Sequence, residues 1–486
     1  MMLFADSSLA WSYFYWGAWL FFISEWVIRL IMLVVVPFRR TPAAAKGWLL
    51  LIMFEPWVGL LVYLLIGRAK LRRGQRDRLA MLPEALAPVV TRLANHPHIF
   101  HPELGPALNQ AVTLAENLGQ SPILGGNAVE LLTDYDDTLA RLVADIDRAT
   151  DHVHLLFYIF ADDAATAPVI AALGRATSRG VECRVLADAI GSFRGLRTLR
   201  PKLTSLGVGI HAMLPVSLLP WKKSRLDLRN HRKIAVIDGR IGYTGSQNMV
   251  AAEFKQGTAF EELMVRITGP VVLELQHIFA ADWFLETEEI LDCVTDFPSP
   301  DISGDVAAQA LPSGPAFQTQ NNQRLFVALV HGAGKRVVLT TPYFVPDEPL
   351  LQAMQTAVLR GVEVHLVVSE EGDNRLVSLA QESYYEELLE AGVQIHAYRE
   401  NFLHAKHLSI DDAIAVIGTS NLDIRSFALN AEVMLMIYDP TVAADLAVEQ
   451  ASYYVNSNLL TLATWQQRSF LRQVAENLAR LFSPLL

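Results

Sequence analysis

The stretch "HRKIAVIDGRIGYTGSQN", His231 to Asn248, is answered later in the chain by "HAKHLSIDDAIAVIGTSN", His404 to Asn421, with His, Lys, Asp, Gly and Asn at the same offsets. In each copy a His and a Lys stand two apart, ahead of an apolar run that reaches an Asp-containing turn. Side chains at i and i+2 of a strand share a face, so His231 projects with Lys233 and His404 with Lys406. An Asp-Gly turn suits a hairpin. A turn at residues 238–240 sets His231 opposite Asn248 and Lys233 opposite Ser246. The same spacing sets His404 opposite Asn421 and Lys406 opposite Thr419. Each motif is therefore predicted to gather four polar side chains in one patch.

Around each motif the pattern is that of a parallel sheet. "HVHLLFYIF" reads as a buried strand, "APVIAALGRATSRG" as a helix and "VECRVLADAIG" as a second buried strand. The rhythm restarts with "RVVLTTPYFVP", "LLQAMQTAVLRG" and "VEVHLVVSE". Between the two lies the Pro/Gly/Ser-rich "TDFPSPDISGDVAAQALPSGP", read as a linker. The polar skeleton is thus repeated because a whole α/β unit is repeated. Residues 1–70 are assigned to a membrane hairpin, 71–126 to a connecting region without a readable role, 127–295 to the first unit, 296–314 to the linker and 315–486 to the second unit with a C-terminal helix.

The hairpin assignment rests on two apolar blocks, "SYFYWGAWLFFISEWVIRLIMLVVVPF" from Ser12 and "GWLLLIMFEPWVGLLVYLLIG" from Gly47 to Gly67. Each reaches the roughly 20 residues that cross a bilayer as a helix. Glu25 and Arg29 share a helix face and are expected to pair, with Glu55 as a further partner. Basic residues are absent before the first block, present at Arg39, Arg40 and Lys46 between the blocks, and dense from Arg68 to Arg78. That distribution favours a cytoplasmic catalytic portion, with both termini on that side.

With 486 residues and a net charge of -11, the chain is large enough for two cores and too acidic for a general nucleic-acid binder. Cys183 and Cys293 have no CxxC partner and read as buried spectators. Thirteen histidines include no HExxH, so no metal or other cofactor is expected.

The patches suit a phosphoryl group: a neutral imidazole is a nucleophile and proton carrier, Lys supplies charge, and Ser, Thr and Asn supply donors. Two patches facing each other place one His on either side of phosphorus, so that one attacks while the other protonates the leaving oxygen. Water as acceptor gives hydrolysis, and an alcohol gives transfer. Asp238 and Asp411 read equally as catalytic members and as turn formers. His211, His277 and His407 lie near the motifs without the skeleton and are assigned to packing.

The paired motifs resemble the HKD motifs of the phospholipase D superfamily. With "DLRNHRKIAVID", "TPYFVPDEPLLQA", "GTSNLDIRSFALNAEV" and the apolar N-terminus, nearly the whole chain resembles the bacterial cardiolipin synthases. That resemblance implies two phospholipase D-like α/β domains related by a pseudo-twofold axis, with the site at their interface and no metal. It implies His231 as nucleophile, His404 as general acid and then base, and Lys233, Lys406, Asn248 and Asn421 on the phosphate, with Ser246 and Thr419 beside them. It also implies a carboxylate after each motif holding an imidazole. The matches are Glu432 in the second copy and, supporting His231 in the first, Glu262 where the family has Asp, with Glu261 as its rival. The implied reaction joins two phosphatidylglycerol molecules into cardiolipin and glycerol at the bacterial inner membrane. The partners are then membrane phospholipids and not nucleic acid, and self-association stays open. A membrane phospholipase D, or a synthase taking phosphatidylethanolamine as second lipid, would use the same residues.

Two surface features bear on lipid. Leu218, Leu219 and Trp221 beside Lys222, Lys223 and Arg225 suit an anionic interface, or a plain basic loop. Phe470, Val474, Leu478 and Leu481 form one helical stripe, read as core packing in preference to membrane contact.

Overall fold

The computed structural model describes residues 5–40, 42–67, 73–215, 227–254, 258–293, 295–298, 301–317 and 319–483. The basic loop around Trp221 lies outside them. The chain divides into two compact units, residues 1–70 with 225–227 and residues 71–224 with 228–486.

The first unit opens with one helix, Ala5–Val35, whose apolar stretch Tyr13–Val35 is long enough to cross a membrane. Its outward side chains, Trp16, Phe21, Trp26 and Leu30 among them, are exposed, as a lipid-facing helix requires. The second predicted span is not one helix. It is broken at Glu55, where Pro56 forces the preceding residue out of the helical region, into helices Pro42–Phe54 and Pro56–Ile66. The rings of Trp48 and Tyr63 meet at 5.3 Å, so the two pieces fold back on each other. At 1.5 Å per residue they are about 20 and 17 Å long, short of the roughly 30 Å hydrocarbon core. Arg29 bonds Glu25 (3.3 Å) as expected, and its second partner is the Met53 carbonyl (3.0 Å) rather than Glu55.

In the larger unit the strands are β1 (Leu124–Leu132), β2 (His152–Phe157), β3 (Glu182–Asp188), β4 (Gly209–Met213), β5 (Lys233–Ile237), β6 (Ile241–Gly245), β7 (Phe260–Glu261), β8 (Met264–Thr268), β9 (Val306–Ser313), β10 (Arg336–Thr340), β11 (Phe344–Val345), β12 (Glu363–Ser369), β13 (Gln394–Tyr398), β14 (Phe402–Leu403), β15 (His407–Ile410), β16 (Ile414–Gly418), β17 (Leu422–Asp423), β18 (Glu432–Ile437) and β19 (Ser457–Leu459). Fifteen form one sheet in the order β19-β13-β12-β10-β15-β16-β18-β9-β1-β8-β6-β5-β2-β3-β4. Parallel pairs β2–β3–β4 and β10–β12–β13 occupy the flanks, and both motif hairpins, β5–β6 and β15–β16, lie inside them. The predicted linker is no linker over its second half. There β9 runs buried between β1 and β18 at the middle of the sheet, because "VAAQALPS" is apolar enough to be covered on both faces. The connecting region also acquires a role: Leu108, Ala111, Val112 and Ala115 of helix Pro106–Gly119 pack into one core, and Leu86, Val89 and Leu93 into another.

Both hairpins turn where expected, but their strands pair one residue out of the register the spacing suggested. The last pairs are Ile237 with Ile241 and Ile410 with Ile414, leaving three-residue turns. Asp238 (φ 52°) and Gly239 (φ 61°) take left-handed backbone, as do Asp411 (51°) and Asp412 (56°). Asp tolerates that region because its carboxylate bonds locally. Asp238 accepts from the N–H groups of Thr150, Asp151 and His152 at 2.9–3.0 Å, and Asp411 from Gly334, Lys335 and Arg336 at 2.6–2.9 Å. Their assignment as catalytic residues is therefore corrected: each clamps the start of a parallel strand at the far end of its hairpin. Asp238→Ala and Asp411→Ala are each expected to cost about 1–3 kcal/mol of stability, read as a lower unfolding midpoint, while kcat stays within a few-fold of the parent.

The C-terminal stripe departs from its reading too. On helix Phe470–Arg480 the buried residues are Glu476, paired with Arg468 (3.2 Å) and Arg472 (3.3 Å), and Ala479. Phe470 is 76% exposed, Leu478 56% and Leu481 73%. Of the cysteines, Cys183 is buried, with its thiol pushed up to about 12 by burial, but Cys293 is exposed.

Candidate active site

Each motif enters the site at a short segment that pairs with the other half of the chain. Asn230 bridges Ala431, with the His231 N–H on the Ala431 carbonyl (2.8 Å), just before β18 begins at Glu432. Reciprocally β14 pairs in parallel with β7, and the His404 N–H bonds the Glu261 carbonyl (2.8 Å). This exchange delivers a carboxylate from each half to the imidazole of the other. Glu432 Oε2 lies 2.9 Å from His231 Nδ1, and Glu262 Oε1 lies 2.6 Å from His404 Nδ1. The expectation that Glu262 or Glu261 supports His231 is thereby corrected, as is that of each Glu serving its own motif. Glu261 faces outward instead, accepting from Asn401 Nδ2 (2.5 Å).

The remaining contacts tighten the exchange. His231 Nδ1 also meets the Thr419 carbonyl at 3.1 Å. Arg232 crosses between the halves, its Nη1 on Asp282 (2.6 Å) and its Nε on the Glu432 carbonyl (3.0 Å). With Nδ1 engaged on both rings, Nε2 is the nitrogen left for a substrate.

Lys233 and Lys406 are buried beneath the histidines, Nζ of each donating to the carbonyl of its own motif's His, at 2.8 Å for Lys233. Burial and then the charge of Lys406 push Lys233 down to about 7. Burial pushes Lys406 down to about 8 against the pull of Glu262 and Glu432. His404 falls to about 4, through burial first and then Lys406 and Lys233 acting against Glu262, and His231 is lowered chiefly by burial. Burial alone would raise Glu262 and Glu432, yet the facing imidazole and lysines hold both below the usual range. Two carboxylates, two lysines and two imidazoles thus share one buried chamber. A phosphate anion bound there would offset the repulsion between the lysines.

The hydroxyls serve the carboxylates. Thr419 Oγ1 donates to Glu432 Oε2 (2.6 Å) and accepts from the Val433 N–H (2.9 Å), while Ser246 Oγ sits on the Leu263 backbone (2.9 Å) and helps hold Glu262 low. This corrects their placement on a phosphate, and the one-residue shift in register explains it. Lys406 lies across from Gly418, whose N–H bonds its carbonyl (3.1 Å), and the hydroxyl residue turns toward the next strand. A side chain at Gly245 or Gly418 would strike the Leu263 or Val433 carbonyl, at 2.3 and 2.2 Å. Glycine at those positions lets the carboxylate-bearing strand approach. Asn248 and Asn421 are buried at the site; Asn248 Oδ1 accepts from Ile159 N–H (3.1 Å), and Asn421 Oδ1 has no protein partner. His211, His277 and His407 stay outside. Among the described residues, His152, His154 and Asp296 have metal-ligand spacing, but the Arg184 guanidinium stands 3.2 Å from His154 Nε2 and 3.7 Å from Asp296, where a cation would bind.

A family profile described as cardiolipin synthase, PLD-like domain, matches the chain twice, over residues 142–283 and 326–453, once around each motif. The chain belongs to the cardiolipin synthase family of PLD-like proteins. Cardiolipin synthase A of Pectobacterium atrosepticum is 36% identical over 479 residues, covering 96% of this chain and 98% of that protein. Cardiolipin synthase A of Serratia proteamaculans is 35% identical over 483 residues with the same coverage. Among solved structures, the phosphatidylserine synthase of Haemophilus influenzae superimposes with a TM-score of 0.58 at 15% identity, over 77% of this chain and 98% of that one, a likeness of fold.

Within this cardiolipin synthase fold, sequence reasoning missed the aromatic collar of the site. Tyr158 sets its ring edge-on to His231 (5.0 Å), and Phe260 packs on His404 (5.1 Å). Tyr158 follows β2 directly and Phe260 belongs to β7, and neither carries a motif. "HVHLLFYIF" was read whole as a strand, and its last residues are the ones that leave the sheet and line the chamber.

Proposed function

We propose that the chain is a membrane-bound phosphatidyltransferase that converts two phosphatidylglycerol molecules into cardiolipin and glycerol. The observation that carries this reading is the pair of imidazoles, each held at Nδ1 by a carboxylate from the opposite half, above two buried lysines. Neutral His231 attacks the phosphorus of one lipid through Nε2, the bond to the headgroup glycerol oxygen breaks, and His404, which enters the step as imidazolium with its charge balanced by Glu262 and the lipid phosphate, gives its Nε2 proton to the departing glycerol. A hydroxyl of a second phosphatidylglycerol then attacks the phosphohistidine, giving its proton to His404 as the phosphorus–nitrogen bond breaks. Lys233 and Lys406 carry the phosphate charge in both steps. The two motif-bearing halves, related by a pseudo-twofold axis, supply one reacting ring each.

Purified full-length chain given labelled phosphatidylglycerol is expected to release cardiolipin and glycerol in equal amounts. Phosphatidic acid as sole product would instead establish the hydrolase reading. The same assay across pH is expected to give a bell. His231 must be neutral, so the acid limb lies below its ordinary 6.5. The lysines must be charged, so kcat/KM falls as pH rises past about 7 to 8. Bound phosphate favours the charged lysines, so the alkaline limb of kcat lies higher than that of kcat/KM. A flat profile to pH 9 would exclude the lysine role.

We further place the enzyme in the bacterial inner membrane with Tyr13–Val35 as its span and residues 42–66 as a re-entrant pair. A re-entrant pair would return the chain to the side it left, so by the charge rule the basic residues on either side of it, Arg39 and Arg40 before and the Arg-rich sequence after, belong on one side. All then lie in the cytoplasm with the catalytic halves, and the N-terminus lies outside. In intact cells an impermeant thiol reagent is expected to label a cysteine at Ser7 and to spare one at Arg39; the reverse pattern would overturn this orientation.

A further inference from the structure

Two cavities open beyond the ends of corresponding strands, and their linings differ in kind. Lys233 stands across from Phe157 and His407 across from Thr340, so Thr341 takes the place of Phe157 in the second half. Tyr158 and Ile159 then correspond to Pro342 and Tyr343, and Asp188 to Ser369. Past the first set lies a groove of about 380 Å³ walled by Ile159, Phe160, Ala161, Ile190 and Phe193. Past the second set lies a cavity of about 460 Å³ with a mixed lining, in which Ser369, Glu370, Ser378 and Glu382 stand among apolar residues such as Leu460 and Trp465. Both volumes fall in the roughly 300–1,000 Å³ range of small-molecule sites, and both lie past the carboxyl ends of parallel strands, where α/β sheets hold ligands.

Each cavity is tied to one catalytic ring. On the first side, Tyr158 packs on His231, the Ile159 N–H bonds Asn248, and Asp188 accepts from the N–H groups of Ile190 (2.9 Å) and Asn230 (3.1 Å). Those bonds pin the groove wall to the segment bearing His231. On the second side, Ser369 Oγ accepts from the N–H of Leu403, next to His404 (2.7 Å), and Tyr343 packs on Phe402 at 6.0 Å. The first groove presents exposed apolar side chains to solvent, Phe193 at 57% and Ile190 at 38%. The second has its charges internally paired, Arg472 with Glu382 at 2.5 Å, leaving hydroxyl and carboxylate oxygens to meet a neutral, hydroxylated ligand.

We propose that these cavities divide the lipid substrate: the groove beside His231 holds an acyl chain of the phosphatidyl group under attack, and the more polar cavity beside His404 holds the hydroxylated headgroup that leaves or attacks. The division rests on the phosphatidyl-transfer reading and adds to it which part of the lipid lies on which side. It matches the chemistry, since in-line displacement puts the departing alcohol opposite the nucleophile, on the side of the proton donor.

The test uses full-length chain in mixed micelles with phosphatidylglycerol bearing either oleoyl or hexanoyl chains, and labelled glycerol as an exchange acceptor. The double variant Ile190→Ser/Phe193→Ser, altered only at exposed side chains, is expected to lose about tenfold in kcat/KM on the oleoyl lipid and less than twofold on the hexanoyl lipid. Its KM for glycerol should not move. Ser378→Leu is expected to raise that KM about tenfold and to leave the chain-length ratio as in the parent. Equal loss on both chain lengths, no loss on either, or an unmoved glycerol KM in Ser378→Leu would overturn the proposal. If the parent released only phosphatidic acid, the synthase reading would fall, yet the chain-length ratio could still be read on that product.

Discussion

His231→Ala is expected to abolish turnover, with kcat down by about 10⁴-fold or more, because no other group is placed to form the covalent intermediate. His404→Ala is expected to fail equally on phosphatidylglycerol, but for another reason. Its nucleophile is intact, and what is missing is the proton for the departing glycerol. A phosphatidyl substrate with a nitrophenol leaving group needs no such proton. On it His404→Ala should release one equivalent of nitrophenol and then stall with lipid phosphate on His231, as an acid-labile, base-stable label. His231→Ala should give neither burst nor label. A label on His404→Ala that survives acid, or full activity of either variant, would remove the assigned roles.

Glu432→Gln is expected to lower kcat by about 10²–10⁴-fold while the fold, followed by circular dichroism, is kept. The amide preserves shape but loses the charge that fixes the tautomer and raises the basicity of the ring 2.9 Å away. Because that ring is His231, the slow step should be formation of the phosphoenzyme. Glu262→Gln should act on His404 instead: with the nitrophenyl substrate it is expected to give a near-normal burst and then a slow second step. Were each carboxylate to serve its own motif, the two phenotypes would be interchanged.

Much of this was legible in the sequence because it is local. The strands of both units are continuous apolar runs, and the pairing of His with Lys follows from a two-residue period. The register of the hairpins was missed by one: three-residue turns through the left-handed Asp238 and Asp411 pair Ile237 with Ile241 and Ile410 with Ile414, one residue off the expected opposition. That single step redirects Ser246 and Thr419 from the substrate to the carboxylates. The break at Glu55-Pro56 was on the page, but the apolar run around it is long enough to read as one span. The exposed stripe Phe470–Leu481 shows the limit of periodicity: an amphipathic pattern states that one face is apolar without stating what meets it. The exchange of Glu262 and Glu432 was not legible at all, because it depends on which segments meet in space after both halves have folded.

That exchange also sets when the protein becomes dangerous to a membrane. The carboxylate that readies His231 lies 201 residues further along, so a nascent chain displaying the whole first motif is still chemically mute. On the proposed roles, lipid cleavage is expected only once synthesis has passed Glu432 and the late half has docked, and a prematurely terminated product is expected to be inert rather than an unregulated lipase.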